Sequence, residues 1–187
     1  MVAGLSERGI TVDIIESCRR GDREAFRALY EAYKDKVYSI ALHFFHGDEA
    51  AASDVTQQVF LKLIHSISQF RGDSEFTTWL YRLAVNACMD GARRAKPRKR
   101  EAAGVEMDGL AGPDSPERDL AQEQRARSVR AALSAMPVKF RLPILLRYFE
   151  DLSYSEMAAA MKCSMGTVAS RLNRGHKMLA SKLESLR

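Results

Sequence analysis

The chain reads as an all-α protein of two small helical domains joined by a flexible linker, and three observations predict this. Apolar residues recur at three- and four-residue steps, and no stretch alternates as a half-buried strand would. The periodicity stops from Ala102 to Pro116, where three glycines, two prolines and several acids gather. The charge also changes character on either side of that break. Together these place one domain at about 10–96, a linker at 97–115 and a second domain at 116–187. With 187 residues, each half has room for a core of its own.

In chain order, Asp22 is placed to N-cap a long helix carrying Phe26, Leu29, Tyr33, Val37, Ile40 and Phe44 on one stripe. Gly47-Asp48 ends that helix and caps the next, which runs to about Ser66. After Phe70-Arg71-Gly72-Asp73 a third helix begins, with Phe76, Leu80, Leu83 and Ala87 aligned, and it runs into a basic block. The second domain opens on Ser115-Pro116, a cap followed by proline at the first helical position. A further helix follows Met136-Pro137, and Pro143 either kinks it or marks its true start. Ser153 and Glu156 have capping-box spacing at the head of a short helix ending near Met161. Lys162-Cys163-Ser164 then turns the chain into a last helix, from about Met165 to Leu183.

The formal net charge of +5 is unevenly spread. Residues 1–92 carry ten basic and thirteen acidic side chains, whereas RRAKPRKR at 93–100 carries six basic and no acidic ones. Seven acids stand against Arg118 over 101–123, and residues 130–187 hold ten basic residues against four acidic. Two basic blocks bracketing an acidic linker are the footprint of a polyanion binder. The apolar fraction, 46%, is that of a soluble globular protein, and no apolar run reaches the length of a membrane span. The first ten residues lack a signal-peptide core. Cys18, Cys88 and Cys163 are scattered, which suits buried thiols in a reducing cytoplasm. His43 and His46 have no second pair beside them and read as structural; nothing calls for a metal or a cofactor. No Ser/His/Asp set, glycine-rich phosphate loop or zinc-protease motif supports an enzyme.

Three helical faces carry more than packing. The pair at 153–183 has helix-turn-helix proportions. Met157, Met161, Val168 and Leu172 supply the apolar contacts, with small Ala158 at the crossing. Thr167, Ser170, Arg171, Asn173, Arg174 and Lys177 then face outward, donors suited to base edges and phosphates. On the helix 49–66, Ala52, Val55, Val59, Phe60, Leu63 and Ile67 form the core side. Asp54, Gln57, Gln58, Leu61 and His65 cluster opposite, a leucine in a polar ring as at a protein–protein contact. The third helix sets Trp79, Arg82, Asn86, Met89 and Arg93 along one edge, a surface fit for a single strand, although Trp79 reads better as core.

These stretches resemble the extracytoplasmic-function (ECF) sigma factors of the sigma-70 family. The resemblance rests on DVTQQVFLKL at 54–63, FRGDSEFTTWLYRLAVNACMDGARR at 70–94 and LRYFEDLSYSEMAAAMKCSMGTVASRLNRGHKML at 146–179. It implies a factor that binds RNA polymerase core, at the clamp helices of the largest subunit and the flap, and directs it to promoter DNA. By that resemblance Asp54, Gln57, Gln58 and Leu61 dock on the clamp helices. The loop Gln69–Glu75 and the following helix capture the −10 element, with Gln69, Arg71, Asp73, Ser74, Arg82, Asn86, Arg93 and Arg94 as candidates. The last helix reads the −35 element. The family also implies an anti-sigma partner and a cytoplasmic protein without catalysis. Two positions depart from the pattern: Ala169 stands where relatives often carry Arg, and Lys162 where they usually carry Gly. The second implies a slightly altered turn. The competing reading is a conventional helix-turn-helix regulator acting without polymerase; it explains residues 130–187 but leaves the 54–61 face and the basic block idle.

Overall fold

The structure is a computed structural model that describes residues 12–94 and 116–184, in which every regular element is helical. The N-terminal unit holds α1 (Val12–Arg19), α2 (Arg23–Phe44), α3 (Glu49–Ser66), a 3-10 turn (Ile67–Gln69) and α4 (Phe76–Arg94). The C-terminal unit holds α5 (Pro116–Ser134), α6 (Val138–Tyr148), α7 (Tyr154–Ala160) and α8 (Met165–Glu184). The basic block beyond Arg94 and the linker to Ser115 lie outside the described residues.

Local chemistry starts the helices where the sequence indicates. The Asp22 carboxylate accepts from the Glu24 N–H at 2.9 Å, and Asp48 from the Ala51 N–H at 2.9 Å. Each satisfies donors that the first turn leaves orphaned, worth about 1 kcal/mol of helix stability. At α7 the capping box closes in both directions. The Ser153 N–H donates to Glu156 Oε2 at 2.7 Å, and the Glu156 N–H donates to Ser153 Oγ at 3.3 Å. In α1, Ile15 and Cys18, three residues apart, bury the helix against the rest of the unit.

In the N-terminal unit α3 packs between α2 and α4. Leu29, Val37, Ile40 and Phe44 from α2 meet Ala52, Val59 and Leu63 from α3 and Leu80, Ala84 and Ala87 from α4, all essentially free of solvent. Truncating one of these, Leu63→Ala for example, would cost about 2–5 kcal/mol. In the C-terminal unit α8 packs on α6 and α7 through Val168, Leu172 and Gly175. A Cβ at Gly175 would stand 2.9 Å from the Phe140 carbonyl oxygen and 2.9 Å from Ile144 Cδ1, so glycine lets α6 and α8 touch at the backbone. α6 runs through Pro143, which is buried and lacks the N–H that would reach the Lys139 carbonyl.

Two turns use one backbone device. After α2 the Gly47 N–H donates to the Leu42 carbonyl at 2.9 Å and His46 takes φ 64°. After α7 the Cys163 N–H donates to the Ala158 carbonyl at 3.0 Å and Lys162 takes φ 49°. Both are Schellman closures with a left-handed residue where glycine is favoured. The lysine has therefore not altered the turn, contrary to the sequence expectation; it accepts the left-handed conformation that the closure demands.

The two units also meet each other, α4 against α7 and α2 against α6, and their buried residues form one continuous cluster.

Candidate nucleic-acid interface

The outer side of α3 is a ridge. Asp54, Gln57 and Leu61 are exposed and Gln58 is half-buried, while Val55, Val59, Phe60 and Leu63 are buried on the opposite side. Leu61 is 57% exposed, and Ile64, one turn further on, is 48% exposed. Sequence reading missed Ile64, although its spacing of three from Leu61 puts it on the same ridge. Two adjacent exposed aliphatic side chains edged by an acid and amides form a surface for protein rather than for polyanion.

The loop after α3 is pinned at both ends. Phe70, Phe76 and Trp79 are buried and their rings lie 5.5–5.8 Å apart, so the intervening residues stand out. Gln69, Arg71, Asp73 and Ser74 are all exposed, with Gly72 at φ 78° bending the loop. Trp79 is thus core and offers no stacking face. Along α4, Asn86, Arg93 and Arg94 are exposed and Arg82 is half-buried. Arg93 holds Asp90 at 3.2 Å and Lys62 approaches the same carboxylate at 3.5 Å, tying α3 to α4 below this edge.

At the turn into α8, Ser164 Oγ accepts the Thr167 N–H at 3.2 Å and lies 2.9 Å from Thr167 Oγ1. The Thr167 hydroxyl is therefore engaged in the cap. Ser170, Asn173, Arg174 and Lys177 are exposed, and Arg171 is half-buried. A cleft of about 460 Å³ at this end is lined by Ser164, Thr167, Ser170, Arg171 and Arg174 together with Lys139 and Phe140. Lys139 comes from α6 and escaped sequence reading, since it lies outside the helix-turn-helix and meets α8 only through the fold. Arg171 also lines a second cavity of about 550 Å³ between the two units, facing Asn86, Arg93 and Met89.

An amphipathic helix with a protein-facing ridge, a pinned loop beside an arginine edge, and a capped helix-turn-helix stand in this order along the chain. Residues 29–98 match the family model of sigma-70 region 2, and residues 126–179 match that of sigma-70 region 4. The chain is 33% identical to the RNA polymerase sigma-H factor of Pseudomonas aeruginosa over 181 residues, covering 92% of this chain and 93% of that one. It is 32% identical to the ECF RNA polymerase sigma-E factor of Escherichia coli K12, over 97% and 98%. The chain belongs to the ECF sigma factors of the sigma-70 family. It is an alternative sigma factor that directs transcription, and the reading as a regulator independent of polymerase falls away. Among solved structures, CnrH in complex with the cytosolic domain of CnrY shares the fold with a TM-score of 0.68 at 22% identity, covering 92% of this chain and 96% of that one. The sigma factor RpoE of Bartonella quintana, in complex with the anti-sigma factor NepR, gives 0.64 at 21%, over 88% and 99%.

Burial pushes the Cys88 thiol up to about 12 and raises Cys18, as expected of thiols that serve as core. Glu150 is pushed up to about 7 by burial, against the opposing pull of a hydrogen bond from Ser39 and of nearby Lys36. Among the described residues no cluster could hold a metal ion, and no helix is long and apolar enough to cross a membrane.

Proposed function

We infer that this sigma factor divides its work by surface. The α3 ridge of Asp54, Gln57, Gln58 and Leu61, extended by Ile64, docks on the clamp helices of RNA polymerase, and the C-terminal unit on the flap. Gln69, Arg71, Asp73 and Ser74 in the pinned loop, with Arg82, Asn86, Arg93 and Arg94 on α4, take the opened −10 strand. Thr167, Ser170, Arg171, Asn173, Arg174 and Lys177 on α8 take the −35 duplex, with Lys139 meeting phosphate beside them. The observation that carries this is the exposure of Leu61 and Ile64 side by side on a helix whose other side is fully packed, since such a face suits a protein partner. The factor itself catalyses nothing and acts in the cytoplasm as two domains, 10–96 and 116–187, joined through 97–115. An anti-sigma partner holds it inactive; the two related folds, each captured with a bound protein, support this. Run-off transcription on a genomic promoter pool tests the whole. Core polymerase with this chain should start at defined sites, and equal output with and without it would overturn the reading.

A further inference from the structure

Arg141 is 4% exposed yet belongs to the C-terminal unit, and its guanidinium is satisfied largely by the N-terminal one. Nη2 donates to the Phe44 carbonyl at 3.1 Å, and Nη1 donates to His46 Nε2 at 2.9 Å. The guanidinium carbon lies 5.3 Å from the centre of the Phe44 ring. The Phe44 carbonyl belongs to the last turn of α2, one of the acceptors that a helix leaves orphaned and where its dipole favours a cation. A guanidinium can only donate, so His46 Nε2 accepts and its proton sits on Nδ1, which reaches Ser134 Oγ at 2.7 Å. The left-handed conformation of His46 in the Schellman closure throws the imidazole toward α5 and α6. Beside this point His43 stacks on Phe149 at 3.9 Å, and Glu150 reaches Ser39.

The same packing brings the two DNA surfaces together. Asn86 and Arg93 line one cavity of about 550 Å³ with Arg171 and Lys139, a volume that suits a single small molecule. The −10 and −35 elements, by their names, are centred about 25 base pairs apart, or about 85 Å of duplex at about 3.4 Å per pair. Side chains that share one cavity cannot occupy sites separated by that distance.

We propose that Arg141, seated on the end of α2, is an intramolecular latch that holds the sigma factor closed and must let go before the chain can span a promoter. This rests on the assignment of α4 and α8 to the two elements. The latch is shallow by construction. Burying a guanidinium forfeits hydration that its hydrogen bonds only roughly restore, and on opening the Arg141 charge returns to water. Its specificity comes from the two partners on α2 and its closure, the Phe44 carbonyl and His46 Nε2, that take up two of the guanidinium nitrogens.

Small-angle scattering of the full-length free protein, without polymerase or DNA, tests this against two variants. Arg141→Met keeps the apolar stem and removes the charge. His46→Gly removes the imidazole from a left-handed position that glycine prefers, so the turn itself cannot suffer. Wild type should have a radius of gyration near the compact value of about 16 Å for this length. Either variant should exceed about 20 Å with unchanged helicity by circular dichroism. In run-off transcription with limiting factor the variants should reach half-maximal output at about threefold to tenfold lower concentration. A wild type already above about 20 Å, or variants as compact as wild type, would overturn the latch. Loss of transcription by wild type and variants alike would instead overturn the functional assignment and leave the scattering to decide the latch.

Discussion

α3 and α8 are near equals in length, each buries one side and each leaves the other side in solvent, yet the outward sides differ in kind. That of α3 shows Asp54, Gln57, Leu61 and Ile64, amides and an acid around aliphatic side chains. That of α8 shows Ser170, Asn173, Arg174 and Lys177, cations and hydrogen-bonding groups that follow an exposed Met165 and Ala169 in its first turns. A protein partner returns free energy for desolvated carbon, whereas a nucleic acid returns it for phosphate neutralised and base edges paired. Amphipathicity alone makes both helices fold in the same way. On the proposed assignment, the chemistry of the outward side then separates a polymerase contact from a promoter contact.

The largest effect expected from breaking this contrast is on α3. Leu61→Asp should weaken binding to core polymerase by on the order of 1–3 kcal/mol. Its melting temperature should stay within a degree or two of wild type, because the side chain is mostly in solvent. Titration against labelled core, alongside calorimetry, measures both. A large fall in melting temperature would mean that Leu61 supports the fold.

The contrast sharpens within α8. Arg171→Ala should cost roughly 1–3 kcal/mol on the preferred −35 sequence and relax selectivity at one or two positions. Lys177→Ala, nearer the helix exit, should weaken all sequences alike and reduce the salt slope by about 0.9. A binding series over single-base variants at several salt concentrations distinguishes them. If Arg171→Ala shifted every sequence equally while Lys177→Ala changed selectivity, the helix would lie in the groove the other way round.

A third test turns from the outer faces to the inner contact between the units. Glu150 holds its proton up to about pH 7 when buried against α2, compared with 4.5 in the open chain. The closed form therefore binds more protons between those values. Closure should be favoured as pH falls from about 7 toward 4.5, and this contribution should disappear as pH rises through about 7. Lys36 and Asp151 pull Glu150 in opposite directions, and the His43 ring lies against neighbouring Phe149. The comparison is Glu150→Gln against wild type, by scattering from pH 5 to 8. The substitution should flatten the pH dependence of compaction, and an unchanged curve would remove Glu150 from the contact.

Legibility in the sequence followed the range of the interaction. Asp22, Asp48, Ser153 and Glu156 could be read as caps because each bonds within three residues of itself. The buried stripe of α3 was legible because periodicity records which side faces in. α1 was not, since eight residues make barely two turns and its two buried positions set no pattern. Arg141 was beyond reach for a different reason. Its partner Phe44 lies 97 residues away, and nothing local distinguishes a buried arginine from the exposed ones around it. Lys139 belongs to the same class, a cation brought beside Ser170, Arg171 and Arg174 by the packing of α6 on α8.

The smallest effect concerns the two Schellman closures, where the units use the same backbone turn for different ends. His46 spends its strained conformation on reaching Arg141 and Ser134, so replacing it trades a contact for relief. Lys162 is exposed and, among the described residues, no hydrogen bond or ion pair of its side chain compensates its left-handed backbone at φ 49°. The penalty of that conformation for a side chain with a Cβ, about 1–2 kcal/mol, is partly offset by the greater freedom that glycine gives the unfolded chain. Lys162→Gly should therefore stabilise the C-terminal unit by on the order of 0.5–1 kcal/mol, read as a small rise in the midpoint of urea unfolding with the slope unchanged. Affinity for −35 DNA should hold apart from a slight loss common to all sequences, since the lysine lies before α8 and away from its reading face. A fall in the midpoint would show that the Lys162 side chain contributes something to the turn that outweighs its strain, and the resemblance between the two closures would then end at the backbone.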